Sequence, residues 1–328
     1  MSQLELLVDD VARVSAQHGV RCDLSAVRGA VVDNAPFFTP DSYIQLRLAR
    51  KVNSMGELKH QLNFRTEVFS GPGDHRAVGL LRCALASVEE IPGVNACQDK
   101  GVARQYLHEV LDAFPTCAVA ADFDPAVGLV KLWHFGACTA DQLCKLPNTP
   151  RALAAYLPFF QKHGFSQIFC TGVDLEKLSM NIYFNAREGG RKDGKAVLAM
   201  FHDLGFDQPS DEAMLAYITG PGSFAMTLRW DSDSCERVCF YIVPPLQDTM
   251  PPCIRAFMDE CGLPCWHKEH PEESERFAAH PMNSCFVSCS FSKQLAGMYF
   301  KQESDWQNSY HELLGRCVAF VRQAKTAQ

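Results

Sequence analysis

Five times along the 328-residue chain, two strand-like runs stand close together with a short break between them. The pairs are 43–51 with 59–69, 116–123 with 128–135, 165–173 with 177–184, 222–230 with 237–243, and 284–291 with 297–302. Turn-forming residues fill several breaks: Asp124-Pro125, Asp174-Leu175-Glu176, and the run from Asp231 to Ser234. Stretches with helical periodicity separate the pairs at 101–114, 151–163, 194–204 and 252–261. Further helices are predicted at the two ends, 3–18 and 305–324. A unit recurring about every 50 to 60 residues marks repeated supersecondary structure, in which neighbouring copies build one closed object.

Alternation within the strands says what kind of object. Strand side chains point to opposite faces in turn. Leu178, Met180, Ile182 and Phe184 fall on one face, and Lys177, Ser179, Asn181 and Tyr183 on the other. Leu62 and Phe64 oppose Asn63 and Arg65. Phe224, Met226, Leu228 and Trp230 oppose Ser223, Ala225, Thr227 and Arg229. Val238, Phe240 and Ile242 oppose Arg237, Cys239 and Tyr241, and Met298 and Phe300 oppose Tyr299, Lys301 and Glu303. One face is therefore apolar, with helices available to cover it.

The other face is polar, cationic and set with rings. Arg47, Arg65, Lys131, Lys177, Arg229, Arg237 and Lys301 outnumber Glu67 and Glu303 there, although the chain as a whole carries a formal charge of −7. Trp133, Phe135, Tyr183, Tyr241 and Tyr299 stand among them. A half-exposed antiparallel sheet would send this face to bulk water. Closing ten strands into a barrel instead encloses it and removes the sheet edges. Cations gathered on one face of an acidic protein call for an anionic ligand. Interleaved rings call for a ligand whose other end is apolar or cationic.

The acidic balance excludes nucleic acid and an anionic membrane as expected partners, and no apolar run is long enough to span a bilayer. The first ten residues lack the basic-then-apolar layout of a secretion signal, so a cytoplasmic protein is expected. The 15 cysteines are scattered and read as small buried hydrophobes. Cys261, Cys265, His267 and His270 are the one cluster with metal-ligating character. The single residue between Cys265 and His267 leaves little room for a tetrahedral zinc site.

Familiar phosphate signatures are absent: there is no Gly-x4-Gly-Lys-Ser/Thr loop and no Gly-x-Gly-x-x-Gly. Asp122-Phe123-Asp124 resembles a carboxylate pair for magnesium, but beside Pro125 it reads as a hairpin turn. A diphosphate on this face would be neutralised mainly by Arg and Lys.

Four segments carry a resemblance: Gln61-Leu62-Asn63-Phe64-Arg65; Ala121-Asp122-Phe123-Asp124 leading into Lys131-Leu132-Trp133-His134-Phe135-Gly136; Val173-Asp174 leading into Asn181-Ile182-Tyr183-Phe184; and Glu236-Arg237-Val238-Cys239-Phe240-Tyr241. In this order, each on a predicted strand, they resemble the soluble aromatic prenyltransferases of the PT-barrel (ABBA) fold, in the group of the aminocoumarin 4-hydroxyphenylpyruvate and naphthalene enzymes. The resemblance covers nearly the whole chain. It implies an α+β protein, a single domain over 1–328. Ten antiparallel strands would form a closed barrel surrounded by helices, in five α-β-β-α repeats.

The resemblance also implies roles. Arg47, Arg65, Lys131, Lys177, Asn181, Arg237 and Lys301 would hold the diphosphate. On the chemistry of such a transfer, the ring faces of Trp133, Tyr183 and Tyr299 are the candidates to stabilise an allyl cation, and Glu303 would take the ring proton or hydrogen-bond the acceptor. Phe169, Thr171, Ser223, Arg229, Tyr241, Ser288 and Tyr299 would line the acceptor side.

Two departures from the family narrow the reading. Asn63 stands where a magnesium-dependent relative has aspartate, and an amide lacks the hard anionic oxygen that magnesium favours. No metal or other cofactor is therefore expected. Phe169 stands near a position where 4-hydroxyphenylpyruvate enzymes use arginine, so a phenol, dihydroxynaphthalene or indole-like acceptor is expected in place of that keto acid. The expected activity is transfer of dimethylallyl, with geranyl also open, from its diphosphate to a ring carbon by a monomeric enzyme. The rivals are a barrel hydrolase or isomerase, for which no His falls on the polar face, and a non-catalytic carrier of an amphipathic anionic ligand.

Overall fold

The computed structural model describes residues 3–17, 19–34, 37–38, 42–52, 58–70, 75–90, 98–185, 193–206, 208, 215, 218–219, 222–242, 285–292 and 297–305. Its strands are β1 (Tyr43–Val52), β2 (Leu58–Phe69), β3 (Ala118–Asp124), β4 (Gly128–Cys138), β5 (Ile168–Asp174), β6 (Ser179–Asn185), β7 (Gly222–Arg229), β8 (Cys235–Ile242), β9 (Cys285–Ser292) and β10 (Gly297–Asp305). Each is antiparallel to its neighbours in sequence. β1 pairs with β10 as well as with β2, Lys51 lying opposite Lys301, so the ladder closes into a barrel.

Helices α1 (Gln3–Gln17) and α2 (Leu24–Asp33) precede the strands. α3 (Arg76–Glu90) and α4 (Gln98–Ala113) join β2 to β3. The short α5 (Ala140–Leu143), α6 (Ala152–Ala155) and α7 (Leu157–Lys162) join β4 to β5, and α8 (Gly194–Leu204) joins β6 to β7. The single helix expected at 151–163 is two pieces, broken at Tyr156, with Pro158 in the first turn of the second. The helix expected at 252–261 lies outside the described residues. So does the one expected at 305–324, apart from Asp305, which ends β10.

The apolar faces read in the sequence form the layer between barrel and helices. α8 shows the fit: Val197, Met200, Phe201 and Leu204 recur at helical spacing and are its buried residues. Asp193 caps its start by accepting from Ala196 N, and Gly205 ends it with φ 66°, the left-handed region open to glycine. Beneath it Phe184, Phe224 and Phe240 stand opposite one another on β6, β7 and β8. Phe201 lies 5.9 Å from Phe240, and Phe165, between α7 and β5, lies 4.7 Å from Phe224. Across the barrel, Phe64 and Phe123 stack at 5.0 Å on adjacent strands. His134 shares this outer face. It is fully buried, its Nε2 is 3.2 Å from Thr116 Oγ1, and burial pushes its pKa down to about 4. Among the described residues no helix is long and apolar enough to cross a membrane.

Candidate functional site

The same registers set the inner face. Across β2 to β5, Arg65 stands opposite Asp122, Asp122 opposite Lys131, and Lys131 opposite Asp174. The row alternates in charge. One step along the barrel, a second row runs Glu67, Ala120, Trp133, Gly172, Asn181, Thr227, Arg237. A third runs Phe135, Cys170, Tyr183, Ala225, Cys239. Ala120, Trp133, Cys170, Tyr183, Ala225 and Cys239, with Phe135 against them, form an apolar cluster separate from the outer core.

Trp133 is the hub. Lys131 Nζ lies 3.9 Å from its ring centroid and Arg65 Cζ 4.5 Å. Tyr183 is 5.4 Å away and Phe135 6.3 Å. Its Nε1 donates to Asp122 Oδ2 at 2.8 Å. Asp122 in turn accepts from Arg65 at two points, Nε to Oδ1 at 2.5 Å and Nη2 to Oδ2 at 2.9 Å. The ring fits because residue 172, directly opposite, is glycine. A Cβ there would meet Trp133 Cε3 at 2.8 Å and Lys131 Cε at 2.9 Å.

A second hydrogen-bonded group faces the hub. Thr227 Oγ1 donates to Asn181 Oδ1 at 2.7 Å. Arg237 donates through Nε and Nη2 to Thr227 Oγ1, both at 3.1 Å, and through Nη2 to Asn181 Oδ1 at 3.1 Å. Asn181 Oδ1 is thus saturated from this side, which turns its amide nitrogen, a donor, the other way.

Lys131 feels both groups. Burial pushes its ammonium down to about 8; Asp174 and Asp122 oppose that shift, while Arg237 and Arg65 add to it. Arg65, Lys131 and Arg237 therefore form one field, and an anion placed among them would relieve their mutual repulsion. Burial pushes the Cys170 thiol up, against the pull of Arg65 and Lys131, so it stays protonated beside them.

The structure brings Arg65, Lys131, Asn181, Arg237, Trp133 and Tyr183 together. Phe169 joins them at the edge, 39% exposed and 6.2 Å from Tyr183, because a bulge between Ile168 and Cys170 turns it inward. Ser223 lies on the inner face, two residues before Ala225 and opposite Tyr241. Arg47, Tyr241, Ser288, Tyr299, Lys301 and Glu303 take strand positions on β1, β8, β9 and β10; their side chains lie outside the described residues.

Three expected site residues are elsewhere. Lys177 belongs to the β5–β6 turn, where its side chain is 62% exposed and its Nζ is 3.9 Å from Asp174 Oδ2. The alternation that placed it inside breaks at Leu178, whose φ is 50°. Thr171 lies on the outer face, opposite His134 and Ile182, near the Tyr106 hydroxyl of α4. Arg229 closes the β7–β8 turn by a two-point contact with Asp231, both distances 2.7 Å.

The turn reading of Asp122 is corrected as well. Asp124 does serve the turn, accepting from Ala126 N at 2.8 Å, but Asp122 is inside the barrel. Alternation continued past Ala118 and Ala120 would have found it. With Asp174 it balances part of the cationic excess read from the sequence. The Cys261, Cys265, His267 and His270 cluster lies outside the described residues, and among those described no three His, Cys, Asp or Glu side chains converge on a metal position.

Known proteins share both the sequence pattern and the fold. The chain is 31% identical over 146 residues to 5,10-dihydrophenazine-1-carboxylate 9-dimethylallyltransferase of Streptomyces anulatus, covering 42% of this chain and 48% of that one. It is 31% identical over 179 residues to flaviolin linalyltransferase of Streptomyces virginiae, covering 51% and 59%. The chain thus spans about half the length of these relatives. Among solved structures, 6-dimethylallyltryptophan synthase of Micromonospora olivasterospora superposes with a TM-score of 0.55 over 94% of this chain and 98% of that one. At 13% identity, that likeness shows the shared barrel fold. The family model described as "Aromatic prenyltransferase Orf2" matches residues 102–314, which include Asp122, Lys131, Trp133, Asn181 and Arg237. On that match, the chain belongs to the Orf2 family of aromatic prenyltransferases.

Proposed function

We propose that this chain transfers a dimethylallyl group from its diphosphate to a carbon of an electron-rich aromatic ring, as a single domain acting without a divalent metal. The observation that carries the reading is the placement of Lys131 and Arg65 over the Trp133 ring, with Tyr183 beside that ring and Arg237 within the electrostatic reach of Lys131. Cations and donors suited to a diphosphate stand directly beside ring faces suited to an allyl cation.

The chemistry balances with the donor and acceptor alone. The allylic C–O bond breaks and its electron pair leaves with the diphosphate, whose growing charge Lys131, Arg237 and the Asn181 amide stabilise. The allyl cation rests against the indole and phenol faces. A ring carbon of the acceptor supplies the electrons of the new C–C bond, and the displaced ring proton passes to Glu303 or to the diphosphate. The barrel holds the partners in register and keeps water, the competing nucleophile, away.

Asn63 supports the metal-independent part. It offers an amide, and its Oδ1 already takes a contact from Gln61 Nε2 at 3.4 Å. Phe169, a neutral ring at the edge of the inner cluster, supports an uncharged acceptor.

The test is incubation with labelled dimethylallyl diphosphate and a panel of phenols, naphthols and indoles, with and without excess EDTA. A prenylated arene in both conditions is the expected product. Release of prenol alone would mark a hydrolase, and intact diphosphate a carrier. Loss of turnover only in EDTA would overturn metal independence and leave the transfer standing.

A further inference from the structure

Asp122 has no part in the chemistry above, yet its carboxylate accepts three hydrogen bonds beside it. It is 5% exposed, and its carboxylate ties together side chains of three adjacent strands: Arg65 of β2, itself on β3, and Trp133 of β4. Two consequences follow. The two-point contact uses the Nε and Nη2 edge of Arg65, so the guanidinium is held edge-on to the carboxylate and over the Trp133 ring, with its Nη1 side presented away from the carboxylate. The indole is fixed as well. Its single polar atom is held by Asp122 while Gly172 leaves space for the ring edge, so the ring plane has one setting.

We propose that Asp122 is the positioning residue of the donor end: it sets the plane of Trp133 against which the allyl group lies and aims the free edge of Arg65 at the diphosphate. The proposal rests on the prenyl-transfer reading. It separates two roles that the cationic face had merged. Arg65 and Asp122 together carry almost no net charge, so Lys131 and Arg237 supply the attraction for the donor, and the Arg65–Asp122–Trp133 unit supplies geometry.

Asp122→Asn keeps the shape of the side chain and an acceptor oxygen but removes the charge and one acceptor. Positioning predicts that kcat falls about 100-fold, the scale on which small misplacements act, while KM for the donor moves less than about threefold. The share of donor ending as prenol should rise, because a displaced indole no longer shields the cation. Trp133→Phe, which keeps a ring but cannot donate, should raise the prenol share in the same way. The double variant should be no worse than Asp122→Asn alone, since both act through one contact. A merely structural role predicts unchanged partition, full additivity, and a loss of kcat that tracks the loss of folded protein; that result overturns the proposal.

A second readout does not depend on turnover. Inorganic pyrophosphate added to the wild type should change the part of the tryptophan emission that Trp133→Phe removes, and Asp122→Asn should abolish that response. If the wild type prenylates no arene, the transfer reading fails, and Asp122 is judged on emission alone. An unchanged response in Asp122→Asn, or no Trp133 response in the wild type, overturns it.

Discussion

Lys131 Nζ lies 3.9 Å from the centroid of the Trp133 ring, with carboxylates opposite it on both neighbouring strands. An ammonium held this way is available to a ligand but costs the fold something to bury, since burial is the largest influence on it. Lys131→Met should therefore separate function from stability. Turnover should fall by roughly 10²- to 10³-fold, the effect of removing one preorganised charge donor. The melting temperature should hold or rise, because a methionine of similar length fills the site without the desolvation cost. Steady-state kinetics and thermal denaturation on the same preparation check this. A melting temperature that drops with the activity would make Lys131 a structural residue.

The same lysine sets a pH dependence. In the unfolded chain it titrates near 10.5, and in the fold at about 8. Below about pH 8 it is charged in both states, so the folded protein bears the whole cost of the buried charge. That cost is relieved as pH rises from about 8 toward 10.5. Wild type should thus gain stability relative to Lys131→Met across that interval. Donor capture runs the other way: kcat/KM for the diphosphate should fall above about pH 8 as the ammonium is lost. The profile of kcat should break at higher pH, because bound diphosphate holds the proton on. Identical break points for kcat and kcat/KM would show that the donor does not contact Lys131.

How much of this was legible in the sequence depends on where a residue sits along its strand. In mid-strand, alternation was enough: Arg65, Trp133, Asn181, Tyr183 and Arg237 all face inward, and Phe64, Ile182 and Phe224 all face outward. Near strand ends the period of two fails, because one left-handed residue or one bulge exchanges the faces. Leu178 at φ 50° put Lys177 in solvent, and the bulge between Ile168 and Cys170 left Phe169 beside Tyr183; Thr171, expected inside from the resemblance, faces outward between Cys170 and Gly172 in regular alternation. Asp122 was misread for a different reason. The Asp-x-Asp-Pro signature was assigned whole to a turn, although only Asp124 caps it. Which charges pair could not be read at all, since Arg65 meets Asp122 across 57 residues of chain.

Thr171 offers a direct check on that register. Its side chain is buried on the outer face, beside the buried hydroxyl of Tyr106. Thr171→Val replaces the hydroxyl with a methyl of the same shape, so any cost falls on stability, through the buried Tyr106 hydroxyl beside it. Activity and acceptor preference should not change. A changed acceptor profile would put residue 171 inside the barrel and shift the register of β5.

Gly172 tests the hub from the opposite wall. A methyl group there would lie 2.9 Å from Lys131 Cε and 2.8 and 3.0 Å from two carbons of the Trp133 ring. The lysine stem can swing aside at little cost, but the indole cannot move without stretching its 2.8 Å contact with Asp122. Gly172→Ala should therefore displace the ring while keeping every charged group in the site. We expect kcat to fall by on the order of 10- to 100-fold, as a shift of about 1 Å in a positioned group commonly produces. KM for the donor should stay close to wild type, because Lys131 and Arg237 remain. Kinetics together with the Trp133 emission difference decide the point. A displaced emission with unaltered kcat would mean that ring placement does not govern the chemical step, and the role of Trp133 in stabilising the cation would have to be given up.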